Sequence, residues 1–499
     1  MSSDNGGIIG VVNDPTDTVA SGVWQQEEQY EAKVNGTWPQ RALFTTKSLR
    51  FNRGSSDFLN RTMSTAGTSD KIGTYSGWVK RSTTTLDGMF FEGKDLAANN
   101  YTQIYFQATG ALTIYGSTGP MDLVTTAVFT DPSAWYHLVV AFDTTQGTAS
   151  NRVKIYVNGT QITSVTNGNG DAAQYPAENS TIYFGVNGDS QLIGKRNDGA
   201  LYWNGYMSEI IYIDGQALAP TSFGVANSDG VWTPIIYTGS FGNNGFNLQF
   251  EDAAALGTDS SPNGNTFTLN NLTSIDQSTD YPVVNYATAN PLTLSTDATL
   301  SEGNLAITYG TASTRRAVFG TVAMFNGKWF WETKITATSQ TAVEINLGIS
   351  NTMNPELTGN ALVSNNGFSV SYFTGGYIYI GTTQSQTGLG NLAVNDVIGC
   401  ALDLTANTIQ FYKNGSTLGS AASLTSQTTG ELGGGDSGGW TPAWSCSSGG
   451  QTFTAGVNFG SPSFAISSGN ADGNGYGNFE YAVPSGFYAI NTANLAEFG

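Results

Sequence analysis

Charge is what this 499-residue chain has least of: 11% of its residues are Asp, Glu, Lys or Arg, and 19 basic residues face 38 acidic ones. A net charge of −19 without a basic stripe leaves nothing to neutralise a phosphate backbone, which argues against nucleic acid as a partner. One histidine, His137, excludes a two-histidine metal site and any relay that needs a second imidazole. It alternates with Tyr136 and Leu138 in WYHLVV, so a partly buried strand residue with a satisfied ring nitrogen is expected. Two cysteines, Cys400 and Cys446, fall in expected strands; they read as a disulfide or, the preferred reading for a chain made in the cytoplasm, as buried free thiols. No run of about 18 apolar residues exists, so no membrane-spanning helix is expected. Residues 1–20 have neither a positive n-region nor a long apolar core, and no ordinary secretory signal is expected there.

What the chain does have is 62 glycines, many Ser, Thr and Asn, and Tyr and Phe at short spacing, the composition of β-strands joined by turns. The length exceeds one core and suits two or three domains. One phrase occurs twice. Residues 138–159 read LVVAFDTTQGTASNRVKIYVNG and residues 397–415 read VIGCALDLTANTIQFYKNG, each with Ala-x-Asp, a polar turn and Tyr-x-Asn-Gly. In the second copy Ile409 and Phe411 alternate with Gln410 and Tyr412, the two-residue period of a half-buried strand. Asn158-Gly159 and Asn414-Gly415 suit the two positive φ angles of a type I′ turn, so each copy is an antiparallel hairpin. The expected fold is all-β, two tandem antiparallel β-sandwiches with a short N-terminal helix.

That helix is expected after residue 20. Ser21 can cap it, Glu27 and Glu28 suit its dipole, Val23, Tyr30 and Val34 share a face, and Asn35-Gly36 stops it. It reads either as a helix packed on its own domain or as an anchor to a particle through Val23, Trp24, Tyr30 and Val34. The expected organisation is an arm and helix over 1–40, a first sandwich over 41–220, a structured connector over 221–300, a second sandwich over 301–460 and a tail over 461–499.

Two family resemblances follow from the motifs. SLRFN, SGWVKR, WYHLVVAFD, KIYVNGTQI and IGKRNDGALYWNGYMSEIIYIDGQAL together resemble the laminin-G-like, concanavalin-like lectin jelly roll, with Trp135–Leu138, Tyr156–Gly159 and Gly205–Ile210 as its recurring strands and hairpin. Gly327–Glu332 (GKWFWE), then LGI, DVIGCALD, FYKNG, TPA and NFG resemble a SPRY domain. The whole order, with GVWQQEEQYEA near the start and PSGFYAINTANL near the end, resembles a surface protein of tailed, marine bacteriophage virions. That resemblance implies a virion surface location, other virion proteins and a host cell-surface glycan or protein as partners, no membrane insertion, and a homo-oligomer such as a trimer.

Catalytic chemistry is not expected. Glucanase-like members of the jelly-roll family place carboxylates on one strand face as Glu-x-Asp-x-x-Glu; here Glu92-Gly-Lys-Asp95 and Glu344 lack that spacing. Asn167-x-Asn169-x-Asp171 with Glu178 resembles a calcium loop but lacks the first Asp and the sixth-position Gly, and Asp472-Gly-Asn474-Gly is weaker; both read as turns, and no cofactor or metal is assigned. Trp78, Trp135, Trp329 and Trp331 sit on expected strands and read as core. Loop aromatics are the ligand candidates: Trp203 in the first sandwich, and Tyr372 and Trp440 with Arg315 at the loop end that SPRY domains use. The expected function is a non-enzymatic tail fibre or receptor-binding protein. A capsid decoration or head fibre with a structural role is the alternative, and a carbohydrate-degrading enzyme the third reading.

Overall fold

A computed structural model describes residues 45–294, 298–310, 317–338, 345–351, 369–373, 375–424, 438–446 and 452–499. The expected N-terminal helix with Val23, Trp24, Tyr30 and Val34 lies outside the described residues, as do Arg315 and Glu344.

The chain is nearly all β. The first sandwich begins with β1 (Ser48–Phe51), β2 (Phe58–Thr62), β3 (Ile72–Arg81), β4 (Gly88–Asp95), β5 (Asn100–Phe106), β6 (Ala111–Gly116) and β7 (Met121–Val128). It continues through β8 (Trp135–Asp143), β9 (Val153–Val157), β10 (Thr160–Ile162), β11 (Val165–Thr166), β12 (Ser190–Ile193) and β13 (Gly205–Asp214). The expected connector adds a hairpin, β14 (Gly224–Ala226) with β15 (Trp232–Pro234), then β16 (Phe246–Leu248), β17 (Thr268–Asn270) and β18 (Gln277–Ser278). Sheet I runs β10-β9-β8-β3-β13-β1-β18 with β16 also on β13, and sheet II runs β11-β7-β6-β5-β4-β12-β2-β17. The connector therefore supplies strands to both sheets of the first sandwich. It reaches sheet I through a bulge at Glu209 (φ 48°): β1 pairs Gly205–Met207 of β13, and β16 pairs Ile210–Tyr212 beyond the bulge.

The second sandwich comprises β19 (Ala298–Ser301), β20 (Ala306–Tyr309), β21 (Ala317–Phe319), β22 (Lys328–Thr338), β23 (Ile345–Asn351), β24 (Ser369–Phe373) and β25 (Tyr377–Ile380). It is completed by β26 (Thr383–Gln386), β27 (Val397–Asp403), β28 (Thr408–Lys413), β29 (Ser416–Ser423), β30 (Trp440–Cys446) and β31 (Phe453–Asn458). Sheet III runs β19-β20-β31-β22-β27-β28-β29 and sheet IV runs β21-β30-β23-β24-β25-β26. A short strand, β32 (Tyr488–Ala489), and a closing helix, α1 (Thr492–Phe498), end the tail. Both repeated hairpins form as expected, with Asn158 at φ 48°, Gly159 at 79°, Asn414 at 49° and Gly415 at 77°. In each, the Asn side chain accepts the backbone N–H of a neighbouring strand, His137 in one and Val397 in the other, at 2.8 and 2.9 Å.

Two outward faces are consumed by packing within the chain. On sheet I, Arg50, Tyr206, Lys80 and Trp135 stand in one cross-strand row. Lys80 Nζ donates to Asp280 Oδ2 (2.7 Å), Asn285 Oδ1 (2.6 Å) and the Tyr286 carbonyl (3.0 Å), while the Trp135 indole N–H donates to Asp280 Oδ1 (2.9 Å). A buried ammonium is tolerated because all three of its protons are satisfied. Tyr206 donates to the Gly303 carbonyl (2.9 Å) and Arg50 to the carbonyls of Ile275 (2.8 Å) and Pro462 (3.4 Å), which joins the two sandwiches. In the next row the fully buried His137 stacks on Trp78 at 4.7 Å. Its Nδ1 accepts the Trp232 indole N–H, so the ring proton sits on Nε2 and is donated to Ser76 Oγ, both at 2.9 Å. Burial pushes this imidazole down to about 3.

Sheet III is covered likewise, by the tail. Phe330 and Ala401 cluster with Val284, Tyr286, Phe479 and Ala489. Asp472, whose Asp-Gly-Asn-Gly phrase reads as a turn, ties the tail together: it accepts the N–H groups of Asn474, Tyr476 and Ala489 and the amide of Asn494. Cys400 and Cys446 are buried and not joined in a disulfide.

Candidate ligand-binding faces

Sheets II and IV carry their own outward rows, and much of each is buried as well: Glu92 is 1% exposed, and Asn346 and Ser371 are 0% exposed. Strand alternation decides which residues reach them. On sheet II the inward row is Leu59, Ile193, Phe91, Ile104 and Ile114, all in the core. The outward row one residue on is Asn60, Leu192, Glu92, Gln103, Tyr115 and Asp122. Tyr101 stacks on Tyr115 with centroids 6.1 Å apart, and Ser190, opposite Lys94, keeps a buried hydroxyl with no partner.

Glu92 is the centre of this face. Its Oε1 accepts the Gln103 amide at 3.1 Å, and its Oε2 accepts the backbone N–H of Asn197 at 2.6 Å, so the 194–199 loop crosses above it. Burial pushes its pKa above the usual carboxylate value, against those two hydrogen bonds and Lys94, which lower it; Asp198 adds to the rise. Asp198 is shifted the opposite way by its fork of bonds to the Arg196 guanidinium, the shortest 2.7 Å. Lys195 caps the edge, its ammonium 3.6 Å from the Phe58 ring centroid.

On sheet IV the outward rows are Ala317, Ser445, Asn346, Phe373, Tyr377 and, beside them, Phe319, Ala443, Gly348, Ser371, Tyr379. This is a floor of small and polar side chains with an aromatic fence on one side, where Phe373 and Tyr377 stack at 6.0 Å. Both amide atoms of Asn346 and the Ser371 hydroxyl are buried, with no hydrogen-bond partner among the described residues. Each such group left without a partner costs about 1–3 kcal/mol. The described apolar residues here, Ala317, Phe319 and Ala443, cluster with one another.

The ligand candidates taken from the sequence fall elsewhere. Trp203 is 2% exposed, edge-on to Phe90 at 4.7 Å, and its ring fills the place a side chain at Gly88 would take. Tyr372 is fully buried; its hydroxyl donates to the Gly390 carbonyl at 2.6 Å, and burial pushes it up to about 12. Trp440 opens β30 and lies in the core cluster of the second sandwich. All three are corrected to core residues, because each sits at an inward position at a strand end or turn. Arg315 lies outside the described residues. Glu92 and Asp95 do not act together: Asp95 caps its own turn by accepting from Ala97 and Ala98. Asn167 Oδ1 accepts the N–H groups of Asn169 and Asp171, and Glu178 pairs with Arg152 at 3.6 Å, the arrangement of a polar turn. Among the described residues no group of three or more His, Cys, Asp or Glu is placed to hold a metal.

The family model of the concanavalin A-like lectin/glucanases superfamily matches residues 54–221, and the SPRY domain model matches residues 328–433. No curated protein matches the chain. Among solved structures, the SPRY domain of human HERC1 is similar at 17% identity over 34% of this chain and 96% of its own, with a TM-score of 0.28. The TRIM65 PSpry domain follows at 18% identity, 34% of this chain, 91% of its own and a TM-score of 0.26. A putative carbohydrate binding protein from Bacteroides ovatus is similar at 15% identity over 46% of this chain and 59% of its own, with a TM-score of 0.31. This chain thus carries a concanavalin A-like lectin domain and a SPRY domain in tandem.

Proposed function

We propose that the chain is a non-enzymatic recognition protein of a virus particle, a tail fibre or receptor-binding protein whose first sandwich engages a host cell-surface glycan. The observation that carries the reading is the outward face of sheet II, where the partly exposed Tyr101, Tyr115 and Lys94 stand over the buried Glu92, Gln103 and Ser190, a grouping of rings and polar groups suited to a pyranose. The motif order described above supports the virion setting. The test is a glycan array with the intact chain, then competition with phage for adsorption to host cells. Glu92→Gln and Tyr115→Ala are expected to weaken the selected glycan at least tenfold, and unchanged binding in both variants would count decisively against this face.

A second reading, glycoside hydrolysis, is favoured by one observation: Glu92 and Asp198 are neighbours whose acidities are pushed in opposite directions, as an acid and its partner carboxylate require. Release of reducing sugar from the selected glycan, lost in Glu92→Gln, would replace the binding reading with that one.

A further inference from the structure

The second copy of the Tyr-x-Asn-Gly phrase ends beside a small cavity of about 190 Å³ between sheet III and the tail. Phe330 and Tyr412 from the sheet and Tyr481 from the tail wall it, Val483 and Pro484 close one side, and Glu332 lies in its floor. Two glycines belong to its construction. A Cβ at Gly399 would stand 3.0 Å from the Phe330 ring, and one at Gly415 would stand 2.6 Å from Tyr481.

Glu332 is fully buried and faces Asn458 of β31, Tyr412 of β28, and Glu480 and Tyr481 of the tail. It accepts the backbone N–H groups of Glu480 (2.9 Å) and Tyr481 (2.8 Å) and the Asn458 amide (3.1 Å). No cation among the described residues balances it: the nearby charge acting on it is another carboxylate, Glu480. Lys334, two residues along the same strand, has its ammonium over the Phe464 ring at 5.3 Å. The cavity therefore has a carboxylate below it and three aromatic rings among its walls. The carboxylate and the three rings together suit a positive guest of low hydration.

We propose that this cavity binds a small organic ammonium group, seated against Phe330, Tyr412 and Tyr481 with the Glu332 carboxylate behind them. Glu332 exposes no surface, so it acts through its field across a low-dielectric gap and not through a hydrogen bond. The site is separate from the sheet II face and stands whether or not a glycan binds there.

The test uses the full chain at pH 8 and calorimetric titration with tetramethylammonium and its neutral counterpart 2,2-dimethylpropanol. The cation is expected to bind about tenfold more tightly. Tyr412→Phe retains that preference, Tyr412→Ala loses binding, and Glu332→Gln binds both probes alike. Phosphocholine and a trimethyllysine peptide then separate the two sources of such a group, a lipid headgroup or a protein side chain. Equal affinity for the two probes in the unaltered chain, no saturable binding, or a preference that survives Tyr412→Ala overturns the proposal.

Discussion

A single buried ammonium holds the connector at its junction with sheet I. Lys80 and Asp280 are 2.7 Å apart with both side chains all but inaccessible, and burial pushes the Asp280 carboxyl up despite its partner. Lys80→Met leaves that carboxylate with the Trp135 indole but no cation, and is expected to destabilise by about 3–5 kcal/mol in urea unfolding. Replacing both partners, Lys80→Met with Asp280→Leu, should recover most of the loss, since two apolar groups carry no unpaired charge. A double variant as unstable as the single one would mean that the junction depends on the hydrogen bonds to Asn285 and Tyr286 instead. The ion pair was invisible in the sequence: nothing marks two residues 200 positions apart as partners.

At the scale of one strand, parity separates structure from recognition. The sequence points to the aromatic run at the end of β24, but chooses Tyr372, whose ring is inward at the Phe411 side of the core; Phe373, the next residue, stands in the outward row with Asn346. A shift of one position exchanges the two faces. Tyr372→Ala is expected to cost about 3–5 kcal/mol through the cavity it leaves, whereas Phe373→Ala should change stability by about 1 kcal/mol. Thermal unfolding of the two variants side by side checks this, and equal losses would place Phe373 in the core. The hairpins were legible because Asn-Gly chemistry is local. The inward turn of Trp203 was not, since its direction is set by Gly88 and Phe90 on another strand.

Taken over the whole molecule, the buried carboxyls set an unusual dependence on pH. Burial raises Asp57, Glu209 and Glu332 to about 7 and Asp189 to about 6, and raises Glu92 and Asp280 as well. A carboxyl whose folded value lies above its unfolded one stabilises fully below the unfolded value, and that contribution is lost as pH rises through the folded value. His137, lowered to about 3, acts the other way, losing stability as pH falls below its ordinary value. Six groups outweigh one, and acidification also relieves self-repulsion at a net charge of −19. The melting temperature is therefore expected to rise from pH 8 to pH 5.5. Below about pH 4 it should fall, as Asp70, Asp143, Asp396, Asp403 and Glu480, all held low by hydrogen bonds, become protonated. A flat or falling profile from pH 8 to 5.5, followed by calorimetry, would show that these carboxyls are better solvated than their burial implies.

The sequence by itself determined the strands, the two hairpins and the pairing of a lectin-like with a SPRY-like sandwich, because two-residue alternation and turn chemistry act over neighbouring residues. Tertiary structure alone decided how each face is covered. The connector and the second sandwich cover sheet I, the tail covers sheet III, and a carboxylate such as Glu92 or Glu332 takes its character from groups that distant segments bring over it.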